Sequence, residues 1–374
     1  MSSTIVLFRS DLRLDDNPAL AHAARQSRPV IPLFVLGEDR SDCADLRTLT
    51  QSPGAASKVW LDASLRALDR SLRELGSRLV ISRGVQNTVV DELIDRFEIG
   101  EVVWNRRYEP AHIAEDGALK QMLRDRGIQA RSFNGNLLTE PARIENKQGQ
   151  PYKVFTPFYK HCQTLDVDLP ANPPTRLAAP PEWPRSLDVD ALRLRPAIDW
   201  DSGIRELWQP GENGARALLE GFVEEPMPGY QERRDVPSEP GTSRLSPYLH
   251  FGEISPRRIV LEARHAANGA TPFIRQLYWR EFAHHLLFHF PHTVDRPLNE
   301  RFEDFPWRDD PNALGRWQRG QTGYPLVDAG MRELWHTGWM HNRVRMIVAS
   351  FLTKHLLIDW RYGEQWFWDT LVDA

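Results

Sequence analysis

The first 135 residues alternate short apolar runs with longer stretches in which apolar residues recur every three or four positions. The short runs predict buried strands, and the longer stretches predict amphipathic helices. Because crossovers between parallel strands are right-handed, this alternation predicts an α/β domain, a parallel, Rossmann-like sheet with helices on both faces. The predicted strands are Ile5–Phe8, Val30–Leu36, Arg78–Ser82, Glu101–Asn105 and Gly127–Phe133, and helices are predicted to open near Pro18, Ala55, Val85 and Pro110.

The pattern changes after this half. Of the 28 prolines, 11 lie between residues 141 and 210, and proline fixes φ and removes a donor, so long helices are not expected there. From Gly211 onward, apolar residues recur at helical spacing, and Ser246-Pro247 and Ser255-Pro256 are typical helix starts. We therefore predict three parts, an α/β domain over 1–135, a connector over 136–210 and an all-α domain over 211–374.

Composition excludes several classes of protein. No segment of the 374 residues approaches 18 uninterrupted apolar positions, and the start has no signal-peptide pattern, so no membrane span is expected. Cys43 and Cys162 cannot form a disulfide framework, which favours a reducing, cytoplasmic location. No metal-ligand spacing is present. A net charge of −4 argues against a broad basic surface but leaves room for a local basic patch.

The segment Thr242–Ser246 places two hydroxyls and the guanidinium of Arg244 just before a predicted helix start. Free N–H groups at a helix start and a nearby cation favour an anion, so this segment suits a diphosphate. The alternative is an ordinary helix start beside a surface arginine.

A second group lies on one predicted helix. Gln276 and Trp279 share a helical face, and Arg280 follows one turn after Gln276. An aromatic ring beside an amide and a cation suits a planar base, through stacking and edge hydrogen bonds. The alternative is an amphipathic helix with Trp279 in the core.

A third group forms one continuous helical stripe, and Asn342 is its informative member because a buried carboxamide needs a partner. A heterocycle edge or a backbone carbonyl could serve, and ordinary core packing stays an alternative. Two arginines beside the stripe, Arg343 and Arg345, could reach phosphates. The stripe consists of Trp335, Trp339, Asn342, Met346 and Ser350.

The loop Arg9–Asn17 follows the first strand, where ligands of parallel sheets bind. It lacks the Gly-x-Gly-x-x-Gly fingerprint, so ordinary NAD binding is not supported, and its Arg and Asp residues could simply pair on the surface. Tryptophans on separate elements either pack or, beside a redox cofactor, form an electron path. They are Trp307, Trp317, Trp339 and Trp360.

Five blocks in this order resemble the DNA photolyase/cryptochrome family, over the whole chain. The resemblance implies an α/β antenna domain and a helical domain that holds a U-shaped FAD. It implies light-dependent repair of cyclobutane pyrimidine dimers in DNA by an electron from excited reduced FAD, in a monomer. The blocks are Phe8–Leu20, Gly241–Ser255, Tyr278–Phe282, Gly323–Arg332 and Thr337–Met346.

The resemblance also implies residue roles. Asn342 would face the flavin N5 edge, and Trp307 and Trp360 would be members of the photoreduction chain. The lesion would contact Gln276, Trp279, Arg343 and Met346. The cofactor-binding set would be Tyr230, Thr242, Ser243, Arg244, Leu245, Ser246, Gln276, Arg280, Asn342, Arg345 and Asp373.

Within the family, Trp339 and Met346 favour the dimer-repair class I. Gln276 stands where many such enzymes have Glu, so it cannot supply a carboxylate. Family members continue beyond the position of Ala374, so we expect a shortened helical domain and weak FAD retention. The antenna would be a folate or an 8-hydroxy-deazaflavin near Glu109. A cryptochrome-like photoreceptor and an inactive flavin-binding remnant are the alternatives.

Overall fold

A parallel five-stranded sheet forms the core of the N-terminal half. The computed structural model describes residues 2–37, 52–266 and 269–374, so Cys43 lies outside the described residues. The strand order is β3-β2-β1-β4-β5. The order reverses between β1 and β4, so their carboxyl ends form the crevice where doubly wound sheets bind ligands. The strands are β1 Ser3–Phe8, β2 Val30–Leu36, β3 Val80–Arg83, β4 Ile99–Asn105 and β5 Gln129–Phe133.

The central strands β1 and β2 are apolar because helices cover both faces of the sheet, and every residue of β1 is buried. The predicted parallel sheet with its helices is confirmed. The accompanying helices are α1 Pro18–Arg25, α2 Ala55–Glu74, α3 Gln86–Arg96 and α4 Pro110–Asp125.

The proline-rich stretch contains only short helices, α5 Phe155–Cys162 and α6 Ser202–Leu207, together with 3₁₀ turns at Pro141–Arg143 and Val189–Leu192. Between them the backbone runs along the sheet half. The Leu177 N–H donates to the Leu75 carbonyl, and the Leu187 N–H donates to the Ile81 carbonyl. These bonds satisfy backbone groups that have no helix or sheet partner of their own.

The C-terminal half is helical, as predicted. Ser255 caps one of its helices, since its Oγ accepts from the Arg258 N–H at 3.0 Å. No helix in the described ranges is long and apolar enough to cross a membrane. The α-helices described here are α7 Glu212–Glu224, α8 Tyr230–Arg233, α9 Ser246–His250, α10 Pro256–Ala266, α11 Ala270–His289, α12 Pro311–Gln318, α13 Pro325–Thr337, α14 Asn342–Ser350 and α15 Trp360–Thr370.

The continuous stripe predicted from Trp335 to Ser350 is wrong. Helix α13 ends at Thr337, and Gly338 adopts a left-handed conformation with φ 67°. The next helix, α14, begins only at Asn342. Because a left-handed glycine ends a helix, the two parts of the stripe lie on different helices and Asn342 becomes the first residue of the second one.

The loop Arg9–Asn17 is an interface between the two halves, so the alternative that its Arg and Asp residues simply pair on the surface is wrong. Asp16 is fully buried, and its carboxylate binds the Arg257 guanidinium at 2.9 and 3.0 Å. Asp15 binds Arg258 in the same two-bond manner at 2.7 and 2.8 Å. These pairs join the crevice of the sheet to α10.

Glu253 makes a second junction between the halves. Its buried carboxyl group accepts from Trp60 Nε1 at 3.1 Å, Ser64 Oγ at 2.5 Å and the Gly211 N–H at 2.6 Å. Burial raises the pKa of Glu253 to about 8. One hydrophobic cluster also runs from β1 and α2 through α7 and α11. The two halves therefore share a single core.

Candidate functional site

A cavity of about 860 Å³ opens where the carboxyl edge of the sheet meets the helical half. The loops after β1, β4 and β5 contribute Ser10, Arg107–Glu109 and Asn136. All the cofactor-binding and lesion-contacting residues expected from the sequence line this one cavity. They are Tyr230, Thr242–Ser246, Gln276, Trp279, Arg280, Asn342, Arg343, Arg345, Met346 and Asp373.

Arg244 is held in a fixed position on the cavity wall. Its guanidinium lies between the rings of Trp208 and Trp339, at 4.8 and 4.7 Å from their centroids. Its backbone has φ 53°, an unusual conformation for a residue with a side chain. Burial lowers the pKa of Arg244 from 12.5, and its Nε has no hydrogen-bond partner among the described residues. A half-buried cation whose buried Nε donor is unused suits an anionic ligand.

The predicted helix start beside Arg244 differs in detail. Leu245, without a side-chain cap, precedes α9, so Ser246 is the first helical residue and does not act as the cap. The helix has only five residues. Arg244 is therefore the main source of positive potential here, and the helix terminus is a minor one.

Asp373 and Arg345 form a second polar element of the wall. Arg345 Nη2 donates to Asp373 Oδ2 at 2.8 Å, and Arg345 Nε donates to the Met340 carbonyl. The Asp373 side chain is buried, and its Oδ1 has no partner within the described parts of the chain. The cavity thus presents an unused acceptor here and an unused donor at Arg244. A ligand that carries both an N–H group and a phosphate satisfies both.

Helix α11 supplies an aromatic and polar face. Trp279 stacks on Phe155 with 3.6 Å between centroids and 8° between planes, yet it is 48% exposed. The alternative that Trp279 is a core residue is therefore wrong. Gln276 Nε2 donates to the Pro272 carbonyl at 3.0 Å within the helix. Arg280 donates to the Asn136 carbonyl at 2.8 Å and so joins this face to the sheet half.

The mouth of the cavity is lined by α14. Asn342 is exposed to the cavity, and Met346 is 55% exposed. A smaller groove of about 470 Å³ adjoins the mouth and shares Trp279 and Arg343 with it. The two spaces form one continuous concave surface with an aromatic ring and a guanidinium at their junction.

Sequence reasoning missed two histidines at the inner end of the cavity. His250 and His284 face Glu109 there, and burial lowers the pKa of both imidazoles, that of His284 to about 4. Glu109 accepts from the Tyr108 N–H at 3.0 Å. Glu109 therefore lines the same cavity as the proposed flavin residues. Glu109 was named from the sequence and lies after β4, where this sheet binds ligands, whereas no local pattern singled out the two histidines.

Trp307 and Trp360 lie outside the cavity lining. Trp307 packs on Phe305 with 4.4 Å between centroids, and Trp360 begins α15. Their segments meet, since the Arg308 N–H donates to the Leu357 carbonyl at 2.7 Å. The role of both tryptophans in electron transfer stays a prediction.

Trp317 and Trp339 differ from this pair. Trp317 is fully buried, with Nε1 donating to the Val348 carbonyl at 3.1 Å, which fits a packing role. Trp339 lines the cavity beside Arg244. No cluster of His, Cys, Asp or Glu suited to a metal ion is found among the described residues.

Comparisons with known proteins cover both halves. Residues 4–176 match the family described as DNA photolyase, and residues 273–374 match the FAD binding domain of DNA photolyase. A deoxyribodipyrimidine photo-lyase of Agrobacterium fabrum is 48% identical over 99% of this chain and 77% of its own length. Cryptochrome-2 of Arabidopsis thaliana is 38% identical over 99% of this chain, which spans 62% of that protein.

Solved structures agree with these matches. A crystal structure of a bacterial class III photolyase from Agrobacterium tumefaciens has 48% identity and a TM-score of 0.94, over 100% of this chain and 77% of that one. An archaeal photolyase from Sulfolobus tokodaii with two FAD molecules has 30% identity and a TM-score of 0.84, over 100% and 79%. The expected class I assignment is not confirmed, because the 48% identical structure is a class III photolyase. On these matches and on the fold, the chain belongs to the DNA photolyase/cryptochrome family.

Proposed function

We propose that this protein is a light-dependent photo-lyase that splits cyclobutane pyrimidine dimers in DNA with an electron from reduced FAD. The observation that carries the proposal is the single cavity, which joins the unpaired Arg244 and Asp373 atoms to the half-exposed face of Trp279 at the surface. A photo-lyase with 48% identity supports the same reading.

The residues present fit FAD. Arg244 would bind the diphosphate, with Thr242, Ser243 and Tyr230 beside it. Asp373, oriented by Arg345, would accept a hydrogen bond from the cofactor, and Asn342 would face the N5 edge of the flavin. When bound, reduced and excited, FAD would supply one electron to the dimer, and this electron would return to the flavin once the two carbon–carbon bonds that join the pyrimidines have broken.

The protein contributes position and environment. Leu245 and Trp339 are buried and keep water from the wall beside Arg244, which strengthens the electrostatic interactions there. A dimer that leaves the helix loses its stacking, and the open face of Trp279 replaces part of it. One N–H of the Gln276 amide donates to the Pro272 carbonyl, so its amide oxygen and its second N–H would remain for the base edges.

The remaining roles belong to the same proposal. The α/β domain over 1–135 would carry the antenna chromophore, a folate or an 8-hydroxy-deazaflavin with Glu109 near it, and the helical domain over 211–374 would carry FAD. The connector over 136–210 joins them. Trp307 and Trp360 would deliver electrons that restore the reduced flavin.

The test is illumination of dimer-containing oligothymidine with the reduced protein under blue light. Absorbance at the thymine band should recover, and it should not recover in the dark. A protein whose flavin responds to blue light without recovery of thymine absorbance would be a photoreceptor, like the cryptochromes that are 37 to 38% identical to it. That result would contradict the repair proposal.

A further inference from the structure

A carboxylate sits at the mouth of the cavity, between two guanidinium groups. Nε and Nη2 of Arg343 donate to the two oxygens of Asp235 at 2.7 and 2.9 Å. Arg234 Nε donates to the same carboxylate at 3.1 Å. Asp235, Arg234 and Arg343 line both the large cavity and the adjoining groove. One acid therefore links the two cations that border the junction of the two spaces.

The Asp235 carboxylate fixes the direction of the Arg343 guanidinium. Arginine has five N–H donors in a rigid plane. Asp235 takes two of them along one edge, and Nη1 lies 3.7 Å from Met346 Sδ. The remaining donors belong to the other edge of the plane. An arginine held in this way presents a fixed fork, which suits a phosphate better than a freely rotating side chain does.

Stability does not explain this arrangement. The side chains of Arg343 and Asp235 are 38% and 49% exposed, and ion pairs with such exposure contribute little to folding. Electrostatic attraction for DNA does not explain it either, because a carboxylate at the mouth repels phosphates. An acid at this place lowers the affinity for any DNA, unless the binding gained by orienting the arginines exceeds the repulsion between the acid and the phosphates.

We propose that Asp235 is a positioning residue that holds Arg343 and Arg234 in register for the phosphates beside an extruded pyrimidine dimer, and so sets the preference for damaged over undamaged DNA. This inference rests on the proposed function. Undamaged DNA binds by general charge attraction, which does not require the arginines to have a fixed orientation. A dimer stacked on Trp279 fixes its neighbouring phosphates, so only damaged DNA gains from oriented arginines.

The test compares the affinities of the wild type and Asp235→Asn for two duplexes in the dark, one with a single thymine dimer and one of the same sequence without it. For the damaged duplex we expect about tenfold weaker binding and a salt slope reduced by about one, since about one phosphate contact is lost. For the undamaged duplex we expect equal or tighter binding, because a negative charge is removed. Asp235→Glu keeps the charge and should restore most of the preference.

The matched control is Asp190→Asn. Asp190 pairs with Arg66 at 2.5 Å, is 82% exposed and lines neither cavity, so its removal changes the net charge equally and should leave the preference unchanged. Equal tightening of both duplexes by Asp235→Asn would mean that Asp235 acts only through its charge. Equal weakening together with a lower Tm would mean a structural role. Either result overturns the inference. A wild type with no preference for the dimer would instead contradict the proposed function itself.

Discussion

Replacing Trp279 with alanine separates a stacking role in lesion binding from a packing role in the fold. One face of the indole lies on Phe155, and the side chain is 48% exposed toward the cavity and the adjoining groove. The substitution therefore removes one protein stacking contact and the surface on which the extruded base would lie.

The two effects have different expected sizes. A fully buried tryptophan changed to alanine costs about 3–5 kcal/mol, so the half-exposed Trp279 should cost roughly 2 kcal/mol of folding stability. Stacking of one base on an aromatic ring is worth about 1–3 kcal/mol, which corresponds to a loss of about 5- to 150-fold in affinity for damaged DNA. Binding of undamaged duplex should change little, because it places no base on this ring.

The assay is a titration of duplexes with and without one thymine dimer, in the dark, together with urea unfolding of each variant. Trp279→Phe is the matched control, since it keeps an aromatic face of smaller area and should retain most of the preference. If Trp279→Ala, shown to be folded, binds the damaged duplex as tightly as the wild type, the placement of the lesion on this ring is refuted.

Three further predictions concern the core and the cofactor. Burial raises the pKa of Glu253 from 4.5 to about 8, so between these pH values the folded state keeps a proton that the unfolded state has lost. The free energy of unfolding should therefore fall as pH rises from about 4.5 to about 8. In urea melts at pH 5 and 8, Glu253→Gln should reduce this difference. Asp373→Asn should weaken FAD retention about tenfold in dialysis followed by flavin fluorescence, because a charge-assisted acceptor is lost, and unchanged retention would argue against its contact with the cofactor. Gly252→Ala should lower the free energy of unfolding by more than about 1 kcal/mol, since φ is 64° and the new Cβ would lie 2.1 Å from the Ser10 carbonyl oxygen. Gly221→Ala, which has open space around the new Cβ, should not, and an equal loss of stability in the two variants would contradict this.

The local pattern of apolar residues was sufficient to predict the strands of the sheet. Each predicted strand agrees with the structure to within two residues at its start, for example Glu101 against Ile99 and Arg78 against Val80. The central strands β1 and β2 are buried on both faces, so they read as unbroken apolar runs. The break at Gly338 was missed because the apolar spacing continues across it while the backbone does not.

Residue type alone was enough to select some of the residues that line the cavity, such as Arg244 and Trp279, while their roles stay predictions. Asp235 and His284 were missed for a different reason. Each acquires its place only through folding, since Asp235 meets Arg343 across 108 residues and His284 meets Glu109 from the other half of the chain. Residue spacing along one helix or strand cannot predict contacts between residues so far apart in the sequence.

The Asp16–Arg257 and Asp15–Arg258 pairs bear on how relatives of this protein can be recombined. A chimera that takes the sheet half from one photolyase and the helical half from another inherits each partner from a different parent. If either parent lacks its member, an uncompensated charge is left in the seam, at a cost of about 3–5 kcal/mol for a buried pair such as Asp16–Arg257. We therefore expect sheet halves to be exchangeable among those relatives that carry all four charges. For the other relatives, the four charged residues should be transferred together with the sheet half.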